Sequence, residues 1–206
     1  MNFSTVLLAN GIFPTHEISL SYIKNADRII CCDGSTQHLI NFGCEPHAIV
    51  GDIDSLSDEL ACKYADKIFR DSNQETNDLT KAVNWCISRG FNDIVIVGAT
   101  GKREDHTLGN ISLLTEYCRY ANVIMATDTG ILRAYYNSVE IETFRGQAVS
   151  IFSIDSDTKI TSTGLKYPLN NTKITNWWTA TLNETLSDRF FLDFKSGRIL
   201  VFLKYR

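Results

Sequence analysis

The sequence predicts an α/β protein in two parts. An N-terminal domain on a mostly parallel sheet takes residues 1–138, and a C-terminal all-β sandwich takes residues 139–206. Two observations carry this. In the first part, short apolar runs ending in turn residues alternate with segments of helical periodicity. From about Ile141, stretches rich in Thr, Val, Ile and Phe are separated by Gly, Asn, Asp and Ser, with no helical period.

Taken in order, Val6-Leu-Leu-Ala9 is the first apolar run and ends at Asn10-Gly11. Arg28-Ile-Ile-Cys-Cys32 ends at Asp33-Gly34, and His47-Ala-Ile-Val50 ends at Gly51-Asp52. Ser57 opens a helix as its N-cap. After Asp78, the residues Leu79, Ala82, Val83, Cys86 and Ile87 mark one helix face, and Gly90 stops that helix. Asp93-Ile-Val-Ile-Val97 ends at Gly98. His106 to Tyr120 then places Leu108, Ile111, Leu114 and Cys118 on one helical stripe, and Asn122-Val-Ile-Met-Ala126 ends at Thr127-Asp128. Continuous apolar runs this short suit strands buried on both faces. A short linker at Asn137 to Arg145 leads to strands at Gln147 to Ile154, Thr158 to Thr163, Phe190 to Phe194 and Ile199 to Lys204.

The composition narrows the function. Among 206 residues, 20 Lys and Arg face 24 Asp and Glu, a formal charge of −4, so a nucleic-acid binder working through a basic face is excluded. A hydrophobic fraction of 44% with 21% charged residues excludes a disordered, collagenous or coiled-coil chain. No apolar stretch reaches the ~18–20 residues of a membrane span, and no signal peptide is evident. Cys31, Cys32, Cys44, Cys62, Cys86 and Cys118 form no C-x-x-C pair, so zinc spacing is absent and a reducing, cytoplasmic setting is expected.

In open α/β sheets ligands bind beyond the carboxyl ends of the strands, and the polar residues collect there. Asp52 and Asp54 flank one residue; in an extended segment both side chains point the same way. Two such carboxylates repel unless a divalent cation joins them, and Mg2+ takes carboxylates together with substrate phosphates. A plain turn is the alternative for this pair. Asp78 and Asp105 stand at helix starts, where the helix dipole or a cap explains an acid equally well. Lys81 lies within reach of a phosphate but reads first as an exposed helix lysine. Arg103 follows a glycine-rich loop and has the forked donors that suit phosphate. That loop, Gly98-Ala-Thr-Gly-Lys102, misses the Walker A spacing, yet its backbone N–H groups suit an anion. His106 reads as structural before catalytic, and Cys31-Cys32 reads as core.

Together the motifs resemble a known family. Asp33-Gly34, Gly51-Asp-Ile-Asp-Ser55, Asn73-Gln-Glu-Thr-Asn-Asp-Leu-Thr-Lys-Ala82 and Gly98-Ala-Thr-Gly-Lys-Arg-Glu-Asp-His-Thr-Leu-Gly-Asn110 match, in order, landmarks of the thiamine pyrophosphokinase (thiamine diphosphokinase) family. Ser162-Thr-Gly-Leu-Lys-Tyr167 and Thr181-Leu-Asn-Glu184 resemble its thiamine-domain segments. The resemblance implies a homodimer with active sites at the subunit interface, and transfer of a diphosphoryl group from ATP to the thiamine hydroxyl. It implies Mg2+ on Asp52, Asp54 and Asp78, which with Asp105 form the catalytic set. ATP would meet Asp33, Gly34, Lys81, Thr100, Gly101 and Arg103, and thiamine would meet Gln74, Trp178, Thr181, Leu182 and Asn183. Ser35, Lys102 and Leu182 depart from the family pattern, Leu182 by removing a hydroxyl expected near the pyrimidine.

The chemistry is consistent with the residues alone. An acidic pocket repels ATP unless a metal intervenes, and Arg103, with Lys81 or Lys102, would neutralise what remains. An Asp would accept the proton of the attacking alcohol, with most of the rate coming from alignment and charge stabilisation. An aromatic face suits the thiazolium cation, at ~0.5–2 kcal/mol. Two alternatives stand beside this reading: a haloacid-dehalogenase-like phosphatase using Asp52-Ile-Asp54, and a non-catalytic nucleotide or vitamin sensor.

Overall fold

The computed structural model describes residues 3–206 and divides the chain into two compact units, Met1–Asp128 and Thr129–Arg206. The division falls before the boundary expected at 138. The reason is Gly130–Tyr135, a strand the sequence reading did not mark, which pairs antiparallel with Ile199–Lys204.

In the first unit the strands are β1 (Thr5–Leu8), β2 (Arg28–Cys32), β3 (Ala48–Gly51), β4 (Ile68–Arg70), β5 (Asp93–Val97) and β6 (Asn122–Ala126). They form a parallel sheet in the order β6-β5-β1-β2-β3-β4. The helices are α1 (Glu17–Asn25), α2 (Ser35–Asn41), α3 (Asp58–Lys63), α4 (Asp78–Ser88) and α5 (Glu104–Tyr117). Val6, Leu7, Ile30, Ile49, Ile94 and Ile96 are sealed from solvent, as continuous apolar runs in a doubly covered sheet require. Burial pushes the thiols of Cys31 and Cys86 up to about 12, so both act as small apolar core side chains.

Local signals set the helix ends. Ser57 Oγ accepts from Leu60 N–H at the start of α3, and Asn77 Oδ1 accepts from Thr80 N–H at 2.9 Å at the start of α4. Leu79, Ala82, Val83 and Cys86 form the buried face of α4, and Gly90 follows it at φ +75°. The expected stripe of α5 differs: Leu108 is exposed, and the buried face is Leu114, Thr115 and Tyr117. The first half of this helix borders an open cavity rather than a packed surface. Helices α1 and α2 and strand β4 had escaped the sequence reading. All three are short, at nine, seven and three residues.

The second unit is an antiparallel sandwich. One sheet runs β12 (Asn183–Glu184), β9 (Ala148–Ser153), β14 (Ile199–Lys204), β7 (Gly130–Tyr135). The other runs β11 (Thr172–Lys173), β10 (Lys159–Thr163), β13 (Arg189–Asp193), β8 (Val139–Glu142). Strand β8 occupies the stretch expected as linker, paired with β13 through Ile141 and Phe190. Phe190 and Leu192 face inward while Phe191 faces out, the period-two pattern of a half-buried strand. They join Val149, Ile151, Ile160, Leu165, Ile199 and Val201 in one core. Among the described residues no helix is long and apolar enough to cross a membrane.

Candidate active site

The parallel sheet reverses its winding at β1, with β2 on one side and β5 on the other. Such a switch point leaves a crevice at the carboxyl ends of the strands. A cavity of about 340 Å3 lies there, lined by Asn10 and Gly11 after β1, Cys32 at the end of β2, Thr100, Lys102 and Arg103 after β5, and Asp78 at the start of α4. Its wall is fixed by backbone pairing: Gly11 N–H donates to Gly98 O at 2.6 Å and Ile12 N–H to Thr100 O at 2.9 Å.

Three carboxylates meet beside this crevice. One oxygen from each of Asp33, Asp52 and Asp54 lies within 4.8 Å of the others. Asp33 follows β2 in a turn at φ +33°, is 2% exposed, and accepts from Ser55 N–H at 3.0 Å through Oδ2, while its Oδ1 has no partner. Burial is the main cause that raises its pKa, helped by the charges of Asp78 and Asp54 and opposed by the Ser55 bond. Asp54 is held below the usual carboxylate range, chiefly by the Ser55 hydroxyl at 2.9 Å.

The two acids of Asp52-Ile-Asp54 converge for a different reason from the one expected. Ile53 sits at φ +69°, so the segment is not extended and alternation does not align the side chains. A tight turn, with Asp54 N–H donating to Asp52 Oδ1 at 3.4 Å, brings them together. A β-branched residue in the left-handed region is strained and persists only where its surroundings hold it, a pattern typical of functional loops.

Asp78 is absent from the three-acid set. Its Oδ1 accepts from Lys81 Nζ at 3.1 Å, and the same ammonium lies 3.8 Å from Asp52. Lys81 is therefore not the exposed lysine expected: its side chain is 2% exposed. Burial pulls its pKa down, but the hydrogen bond and charge of Asp78, with the charges of Asp52 and Asp71, outweigh this and leave it raised. Gly51 makes the close approach possible, since a Cβ there would stand 3.1 Å from Asp33 Cβ and 3.2 Å from Asp78 Oδ1.

Arg103 and Lys102 both line the cavity. Arg103 is paired with Asp105, its Nε donating at 3.0 Å, and both side chains are exposed. The Arg103 hydrogen bond, with His106 N–H, lowers the Asp105 carboxyl to about 2. Asp105 thus stays in the first turn of α5, bonded to Arg103 and to His106 N–H, and does not join the cluster of Asp33, Asp52 and Asp54. Gly101 N–H, expected to face an anion, donates to Thr107 Oγ1 at 3.2 Å, whereas Thr100 lines the cavity. Gly34 precedes α2, where a Cβ would press on Asn10 Nδ2 at 2.7 Å. Gln74 lies exposed in the loop before α4, outside the cavity lining.

Asn10, Asn77 and Asn110, to which the sequence assigns no individual role, brace the site together with Lys102. Asn77 Nδ2 donates to Asn110 Oδ1 at 3.2 Å, Asn110 Nδ2 donates to Ala99 O at 2.8 Å, and Lys102 Nζ donates to Asn10 Oδ1 at 3.0 Å. These bonds tie α4, α5 and the glycine loop around the cavity. The position of Asn77 immediately before a strongly patterned helix was the available signal.

In the second unit, Trp178 and Leu182 are each 71% exposed, and Thr181 Oγ1 donates to Trp178 O at 3.0 Å. Asn183 is different. It is 4% exposed, its Oδ1 accepts from Tyr167 N–H at 3.1 Å and Glu184 N–H at 2.9 Å, and its Nδ2 donates to Tyr167 O at 2.7 Å. Its amide is committed to the backbone, where a thiamine contact had been expected. Trp177 packs on Phe152 at 5.8 Å between ring centroids and donates to Ser153 O.

Residues 20–125 match the family model described as thiamin pyrophosphokinase, catalytic domain, and residues 130–202 match thiamin pyrophosphokinase, substrate-binding domain. The chain is 30% identical over 180 residues to thiamine pyrophosphokinase of Bacillus subtilis, covering 82% of this chain and 83% of the relative. It is 28% identical over 192 residues to thiamin pyrophosphokinase 1 of Caenorhabditis elegans, covering 84% and 76%. Its fold is similar to the crystal structure of a thiamin pyrophosphokinase family protein from Enterococcus faecalis, with TM-score 0.82, 21% identity and coverage of 98% and 99%. It is likewise similar to yeast thiamin pyrophosphokinase, with TM-score 0.80, 20% identity and coverage of 100% and 87%.

Proposed function

We propose that this chain, which belongs to the thiamin pyrophosphokinase family, is a thiamine diphosphokinase that transfers a diphosphoryl group from ATP to the hydroxyl of thiamine, giving thiamine diphosphate and AMP. The observation that carries the chemistry is the convergence of Asp33, Asp52 and Asp54 beside a cavity at the strand carboxyl ends.

The donors fit Mg2+. They are hard carboxylate oxygens, and one of them, Asp33 Oδ1, is buried without a partner. When bound, the ion would supply charge neutralisation between the acids and the phosphate tail. Asp33, Asp52 and Asp54 are the residues proposed to hold it, with Asp78 behind them. Lys102 and Arg103 bring positive charge to the same cavity and orient the nucleotide tail. A carboxylate of the set accepts the proton of the alcohol as it attacks, and fixed geometry supplies most of the acceleration.

Thiamine falls to the second unit in this reading. The exposed Trp178 ring offers a face for the thiazolium cation, with Thr181 and Leu182 beside it. The homodimer is proposed from the family resemblance. The comparisons give the phosphatase and sensor readings no support.

The test is product identification after incubation with Mg-ATP and thiamine. AMP and thiamine diphosphate in equal amounts are expected. Free phosphate without AMP would instead point to the phosphatase, and binding without turnover to a sensor. Light scattering at the protein's working concentration tests the dimer.

A further inference from the structure

Lys81 is a buried cation among acids. Its side chain is 2% exposed, and its ammonium is 3.1 Å from Asp78 and 3.8 Å from Asp52. Among the described residues no other Lys or Arg forms an ion pair with Asp33, Asp52, Asp54 or Asp78. A lysine kept for ATP would be expected on the cavity wall, as Lys102 and Arg103 are, yet Lys81 does not line the cavity. An independent observation marks the site as one awaiting a ligand: Asp33 Oδ1 is buried and unpartnered.

Of the four neighbouring carboxylates Asp33 is buried, Asp52 and Asp78 are partly exposed and Asp54 is exposed; like charges gathered this closely repel, and a cation beside them offsets that repulsion. We infer that Lys81 is a positioning residue rather than a phosphate ligand: it holds Asp78 and Asp52 in place and serves as a resident cation, limiting how tightly the acid cluster binds a divalent metal. Asp78, fastened to Lys81, stays behind the three-acid set, and Asp52 is shared between the lysine and the metal. This inference rests on the metal reading of the cluster given above.

The test is calorimetric titration of the full chain with Mn2+ in the absence of nucleotide, comparing the parent with Lys81→Met, which conserves volume, and Lys81→Gln, a smaller polar replacement should the first fold poorly. Removing one charge at ion-pair distance from a partly exposed site should tighten Mn2+ binding about tenfold. The metal should also raise the melting temperature of the variants more than that of the parent. A phosphate-binding lysine predicts the contrary: unchanged Mn2+ affinity and weakened ATP binding, which would overturn the inference. Silence from the parent and both variants would sink the metal reading itself, and this inference with it. Binding by the parent that the variants merely reproduce would sink this inference alone.

Discussion

Replacing Asn183 by Ala separates a structural side chain from a ligand-binding one. Asn183 is 4% exposed and makes three hydrogen bonds, two from backbone N–H groups and one to a backbone carbonyl. Each is worth about 1 kcal/mol net, so the substitution should cost about 3 kcal/mol. For a chain of this size that corresponds to a fall in melting temperature of roughly 6–12 °C. The assay is thermal unfolding followed by tryptophan fluorescence, which Trp177 and Trp178 report from the same unit, with thiamine binding measured by calorimetry below the transition. The expected result is a large fall in melting temperature with thiamine affinity retained in the folded fraction. An unchanged melting temperature combined with lost thiamine binding would refute the structural assignment and restore Asn183 to the ligand contacts expected from its motif.

Asp54→Asn should fold normally, since its carboxyl is exposed, and should lose most AMP production in a coupled assay. Arg103→Ala should weaken ATP use, read as a raised KM for ATP, and spare thiamine binding measured by calorimetry. Asp128 accepts from Thr15 N–H, Thr15 Oγ1 and His16 N–H at the entry to α1. Burial opposes the lowering of its pKa, but these bonds outweigh it and set the folded value below 3.8. The stabilisation is therefore complete above about pH 4 and lost as pH falls through the folded value. Asp128→Asn should lower the melting temperature at pH 6, and the gap from the parent should close toward pH 3. A gap that stays constant across this range would remove Asp128 from the linkage.

Much of the architecture was legible because its causes are local. The five short apolar runs became β1, β2, β3, β5 and β6, since a strand covered on both faces needs nothing polar along its length. The start of α4 and its buried face were equally plain from Asp78, Leu79, Ala82, Val83 and Cys86. Strands β7 and β8 were missed because their signal lies in their partners: Gly130–Tyr135 is a strand by virtue of Ile199–Lys204, nearly seventy residues away.

At the site the same division holds. The sequence by itself determined which residue types gather at the strand ends, because chain order and strand polarity place those loops together. Tertiary structure alone decided what each charge does. Lys81 is buried between Asp78 and Asp52, Asp105 is committed to Arg103, and Asn183 is spent on the backbone of Tyr167. A charge or an amide carries no local mark of its partner; burial and distance select it, and both are set by elements remote in the chain.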